Sequence, residues 1–161
     1  MSEPNTARAD RGASGRLGVG RPCLCGYVHE VVVGALVRED RVLLVHRRPD
    51  KRANPDAWDL PGGLVEAGES ELYALARELQ EELGVQIATG SVSLLCRLTP
   101  WSLDAPAVLS AWLVRKWHGT PANVAPEEHD GMGWFTVEEL PPPPHVLARA
   151  ALVDAMRSLR S

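Results

Sequence analysis

Gly62-Gly63-Leu64-Val65-Glu66-Ala67-Gly68-Glu69-Ser70-Glu71-Leu72-Tyr73-Ala74-Leu75-Ala76-Arg77-Glu78-Leu79-Gln80-Glu81-Glu82-Leu83-Gly84-Val85 is the stretch on which the fold of this chain turns. Leu72, Leu75, Ala76, Leu79 and Leu83 recur at three- and four-residue spacing, the period of a helix that docks one face on a core. Ser70 stands where an N-cap belongs and Gly84 where a left-handed residue ends a helix. Glu78, Glu81 and Glu82 fall at i, i+3 and i+4, which predicts three carboxylates on one side, opposite the leucines. Like charges so spaced repel by about 0.2–0.5 kcal/mol per pair. Either a hard divalent cation among their oxygens or an i,i+4 pairing of Arg77 with Glu81 relieves that repulsion.

Upstream, the β-branched and apolar runs 29–37 and 42–47 flank the charged turn Arg38-Glu39-Asp40-Arg41 and predict an antiparallel hairpin. A loop then runs through Pro49, Asn54 and Pro55 toward the glycine pair. Downstream, residues 91–98 and 107–117 read as strands around a proline-containing loop, with a short strand at Trp134-Phe135. After the prolines at 141–144, Leu147, Ala151, Leu152, Met156 and Leu159 mark a second amphipathic helix. Strands alternating with two helices make a mixed α/β domain.

The 161 residues suit one domain. Residues 1–26, rich in Gly and Arg and without periodicity, read as a flexible leader, leaving residues 27–161 as the folded unit. Lys and Arg number 17 against 21 Asp and Glu, a net −4, with +2 on the leader and therefore −6 on the remainder. That balance argues against a protein that coats nucleic acid polymers. No apolar run approaches the length of a membrane span and the N-terminus lacks a secretory signal's apolar segment, so a cytoplasmic location is expected. Cys23, Cys25 and Cys96 make neither a disulfide framework nor a zinc pattern.

Within this acidic chain, His46-Arg47-Arg48-Pro49-Asp50-Lys51-Arg52 concentrates positive charge suited to a phosphate chain, with Arg48 first and Arg47 second as candidates, and Lys51 and Arg52 on the surface. Trp101 is a candidate for stacking on a base, whereas Trp112 and Trp117 are expected to pack. His129 is expected to be solvent-exposed, its near-neutral pKa keeping it as a secondary candidate for a role.

Gly63, Glu69 and the run Arg77–Val85 together resemble an intact Nudix box. Trp58-Asp59-Leu60-Pro61-Gly62-Gly63, Trp117-x-Gly119-x-Pro121-x-Asn123, Glu127-Glu128-His129 and Trp134-Phe135 also resemble MutT-type members, so the resemblance covers about residues 28–160. It implies an α/β/α sandwich with a mixed β-sheet that hydrolyses a nucleoside diphosphate linked to another moiety, using Mg²⁺ or Mn²⁺. Carried onto this chain, Glu78, Glu81 and Glu82 become metal ligands and catalytic residues, with Glu78 or Glu82 as base and Gly63 offering a backbone carbonyl. Gly62 and Gly84 shape the turns, Glu69 and Arg77 pair to hold loop to helix, and Glu127 or Glu128 approaches the metal from a downstream loop.

The resemblance favours a nucleoside triphosphate, oxidised deoxynucleotides included, cleaved to monophosphate and pyrophosphate. Where the MutT prototype reads an oxidised purine with an Asn after a Pro pair, this chain has Pro143, Pro144 and His145. Pro100, fifteen residues after Val85, matches the proline of ADP-ribose pyrophosphatases and keeps ADP-ribose or a nucleotide sugar as the alternative. A non-catalytic nucleotide-binding module ranks below both. The partner implied is a small nucleotide rather than a membrane or a nucleic acid polymer, and a homodimer is compatible with the family.

Overall fold

A computed structural model describes residues 29–102, 106–142, 144 and 146–161. The predicted leader, Cys23, Cys25, Pro143 and His145 lie outside the described residues, as does the side chain of Trp101. The expected hairpin is present: β1 (His29–Arg38) pairs antiparallel with β2 (Arg41–Arg47) across the turn. Here the strands join only at Val37↔Val42 and Arg38↔Arg41. Where they diverge, β4 (Gly62–Leu64) takes the edge of β1, with Val32 opposite Gly63 and Val33 opposite Gly62. The short β3 (Trp58–Asp59) pairs with β2. Both lie where the sequence predicted a loop, because strands this short carry no readable alternation.

The helix α1 (Glu71–Leu83) starts at Ser70, whose hydroxyl accepts from the Tyr73 N–H at 3.2 Å, and stops at Gly84 in the left-handed region at φ 70°. Beyond it come β5 (Gln86–Ile87), one 3-10 turn, β6 (Val92–Ser102) and β7 (Pro106–Val114). β7 lies antiparallel to β6 and parallel to β1, which makes the sheet mixed. The predicted strand through residue 117 ends early, since the consecutive exposed charges Arg115 and Lys116 fit neither face. β8 (Trp117–His118) instead forms a two-stranded ribbon with β5. β9 (His129–Phe135) is longer than Trp134-Phe135 foretold, its glycines 131 and 133 having hidden the strand. The second helix, α2 (Val146–Ser158), closes the fold.

Alternation in β1 and β2 feeds both faces of the sheet. Val32, Leu36, Leu43 and Val45 pack with Ala74, Leu75, Leu79 and Leu83 of α1. Ala35, Val37, Val42 and Leu44 pack with Leu152 and Met156 of α2. The result is the α/β/α sandwich that the sequence implied. Among the described residues no helix is long and apolar enough to cross a membrane.

Candidate active site

The glycine pair and α1 are fitted to one another. Gly62, at φ 151°, sits so close to β1 that a Cβ would fall 2.0 Å from the Val32 carbonyl oxygen. A Cβ on Gly63 would lie 2.6 Å from the Glu78 carboxyl. The bare Gly62 therefore lets β4 close on β1, and the bare Gly63 lets α1 press Glu78 against β4. The Gly62 N–H donates to Glu82 Oε2 at 3.0 Å.

The three glutamates do not share one surface, which corrects the expectation. Glu82 turns inward and is buried beside the leucines, Glu78 is half-buried, and Glu81 projects to solvent. Among the described residues no group of three or more His, Cys, Asp or Glu side chains is gathered into a ready cation cage. Burial, with the neighbouring charge of Glu78, pushes the Glu82 carboxyl up to about 8. Burial also raises Glu78, against the lowering effect of Arg77.

Arg77 is the cation bonded to Glu78 and Glu81. It donates from Nε and Nη2 to Glu69 at 3.2 and 2.7 Å, and from Nη2 to the Leu64 carbonyl at 2.9 Å. Its Nη1 donates to Glu78 at 2.9 Å and to Glu81 at 3.2 Å. Fork-shaped pairing of this kind suits guanidinium alone. It holds Glu69 below its usual carboxylate range and ties the 64–69 loop to the helix.

The C-terminal turn of α1 is held by the segment before β9. Ala122 and Val124 N–H groups donate to the carbonyls of Leu83 and Glu82, satisfying helix-end acceptors, and Asn123 donates to the His129 carbonyl at 2.8 Å. His129 is therefore buried, not exposed as predicted: packing behind α1 overrides its polarity. Its Nε2 lies 3.9 Å from Glu82 Oε1. Burial, then the charge of Arg47, lowers its pKa to about 4, so the imidazole is neutral near pH 7 and the contact is no ion pair.

The basic stretch divides. Arg47 donates to the Ala53 carbonyl at 2.8 Å and is near enough for its charge to act on Glu82, His129 and Asp59. Arg48 bonds Asp50 at 3.1 Å and faces the Pro126 carbonyl at 3.5 Å. Lys51, expected on the surface, is half-buried and paired with Glu128 at 2.8 Å, so loops 48–51 and 126–128 are clasped together. Glu128 is near enough for its charge to act on Glu82, whereas Glu127 is exposed. Trp112 and Trp117 pack against the core as expected.

On the other face of the sheet, Trp58, Leu60, Leu140, Pro141 and Leu152 line a slot of about 40 Å³ that also touches Arg149 and the chain at Asp59, whose carboxyl, opposite Val45 in the register, turns to the side of Arg47. Burial raises the Asp59 carboxyl to about 6, although one oxygen accepts from the Leu60 N–H at 2.8 Å. Sequence spacing assigns Asp59 no role. Its place directly before Leu60-Pro61-Gly62-Gly63 is the signal that could have found it.

Residues 28–156 match the family model of the NUDIX domain. The CTP pyrophosphohydrolase of Escherichia coli is 34% identical over 131 residues, covering 81% of this chain and 93% of that protein. The 8-oxo-dGTP diphosphatase of the same organism is 30% identical over 115 residues, covering 70% and 88%. The crystal structure of a MutT NUDIX hydrolase from Burkholderia pseudomallei superposes with a TM-score of 0.69 at 31% identity, covering 78% of this chain and 96% of that one.

Proposed function

Because this chain belongs to the NUDIX family and is a hydrolase of it, we propose that it cleaves a nucleoside triphosphate to the monophosphate and pyrophosphate with Mg²⁺ or Mn²⁺. The observation that carries the reading is the carboxyl pair Glu78 and Glu82, one helical turn apart and seated against glycine backbone with too little positive charge for both to ionise freely. Such a donor set, all oxygen and short of counter-charge, fits a hard divalent cation. Glu78, Glu81, Glu82 and the Gly63 carbonyl would hold it, with Glu128 or Glu127 reaching in from its loop. A cation held there would neutralise phosphate oxygens and would make water nucleophilic near neutral pH.

The chain's own groups do the rest. Glu78 or Glu82 accepts the proton of the attacking water. Arg77, through Glu69 and Leu64, fixes the height of the loop over the helix. Arg47, beside the carboxyls, binds the phosphate chain, and Arg48 approaches it from the clasped loop. The slot between Trp58 and Leu60 receives the base, whose entry requires its apolar walls to part, since 40 Å³ holds little more than water. Relatives named for CTP and for 8-oxo-dGTP support a triphosphate substrate.

Purified protein with Mg²⁺ is to be given canonical and oxidised nucleoside triphosphates, ADP-ribose and nucleotide sugars, with products resolved by anion exchange. Monophosphate plus pyrophosphate from a triphosphate is the expected result. AMP plus ribose 5-phosphate from ADP-ribose, with triphosphates untouched, overturns it in favour of the alternative.

A further inference from the structure

A cleft of about 770 Å³ opens at the far end of β1, lined by Arg38, Glu39, Arg115, Lys116, Trp117 and His118 among others. We propose that it is a second anion site, separate from the glutamates, that takes the phosphate chain of a small molecule. Arg38 lies five residues beyond Val33, the partner of Gly62, hence about 16 Å further along the strand.

The cleft holds its cations unspent. Elsewhere Arg41, Arg77, Arg97 and Arg160 are each paired with carboxylates. The side chains of Arg115, Lys116 and His118 make no hydrogen bond or ion pair among the described residues. This happens where residues 27–161 carry a net −6, so the cluster runs against the balance of the chain. Only one carboxylate, Glu39, lines the same cleft.

Arg38 is also pre-set. Its guanidinium carbon lies 5.2 Å from the ring centre of Trp117 and 5.0 Å from that of Trp134. Those two indoles are stacked 6.1 Å apart at 24°. A guanidinium laid on aromatic rings keeps its plane fixed while its N–H edge stays available. A fixed fork, an ammonium and an imidazole around a concavity of small-molecule size match the oxygens of a phosphate chain better than a flat protein surface would.

The test uses the full chain in excess EDTA, where the glutamates cannot recruit a cation, and titrates inorganic tripolyphosphate at low salt by calorimetry and tryptophan fluorescence. Saturable binding is expected, weakened at least about tenfold by R115E/K116E and unchanged by E78Q. If the charge reversal fails to fold, R115Q/K116Q carries the same comparison. Equal affinity for a nucleoside triphosphate supports recognition of the phosphate chain alone, and a tighter nucleotide supports it with added nucleoside contacts. Absence of saturable binding, binding that survives both double variants, or binding lost in E78Q overturns the proposal.

Discussion

Alternate residues of β1 and β2 feed two apolar layers, and the layer under α1 differs from the layer under α2 in what lies at its rim. Under α1 the rim is backbone glycine and carboxyl, with Gly62 bonded to Glu82 and Gly63 against Glu78. Under α2 it is an apolar slot with Arg149 as its charged side chain. The first arrangement is built for charge and proton transfer, the second for fitting an apolar ring with one or two polar edges. On the reading proposed above, reaction and specificity are housed on opposite faces of one sheet, joined by the four residues from Leu60 to Gly63.

If the division holds, variants of the two faces separate kinetically. Glu78→Gln is expected to lower kcat about a thousandfold while the far-UV spectrum and melting curve stay native. Arg149→Gln should instead change KM and base preference, with kcat within about tenfold. Equal losses of kcat in both variants would erase the distinction. Gly62→Ala comes next, because its Cβ would meet the Val32 carbonyl and force backbone apart. A loss of about 3 kcal/mol or more in urea denaturation is expected.

Smaller effects sharpen the same contrast. Gly63→Ala should displace only the Glu78 carboxyl, costing about ten- to a hundredfold in turnover with the fold retained, as steady-state rates and circular dichroism will show. Arg77→Lys keeps the charge and loses the fork to Glu69 and Leu64, with about 1–3 kcal/mol expected from denaturation. Asp59, within reach of the charge of Arg47, has its folded pKa raised by burial from 3.8 to about 6, so its contribution to stability is full below pH 4 and is lost as pH rises through 6. Asp59→Asn should flatten that part of the melting-temperature profile by about a few degrees.

The same contrast explains what could be read from the sequence. Leu72, Leu75, Leu79 and Leu83, bounded by Ser70 and Gly84, announced α1 because period and caps are local. The glutamates were visible for the same reason. Their inward and outward turns were not, since Glu82 is drawn in by Gly62, twenty residues away. His129 and Lys51 were misjudged because their burial depends on the segments 122–124 and 126–128, whose packing no local pattern records. The slot draws on β3, the proline run and α2, and no spacing rule links three distant segments.

The most direct measurement is Mn²⁺ binding to the full chain, followed by electron paramagnetic resonance of the free ion, in the wild type and in Glu82→Gln at matched melting temperature. Saturable binding by the wild type, weakened at least about tenfold in the variant, is the predicted result. Equal affinity in the two proteins would contradict a cation site built on the glutamates of α1.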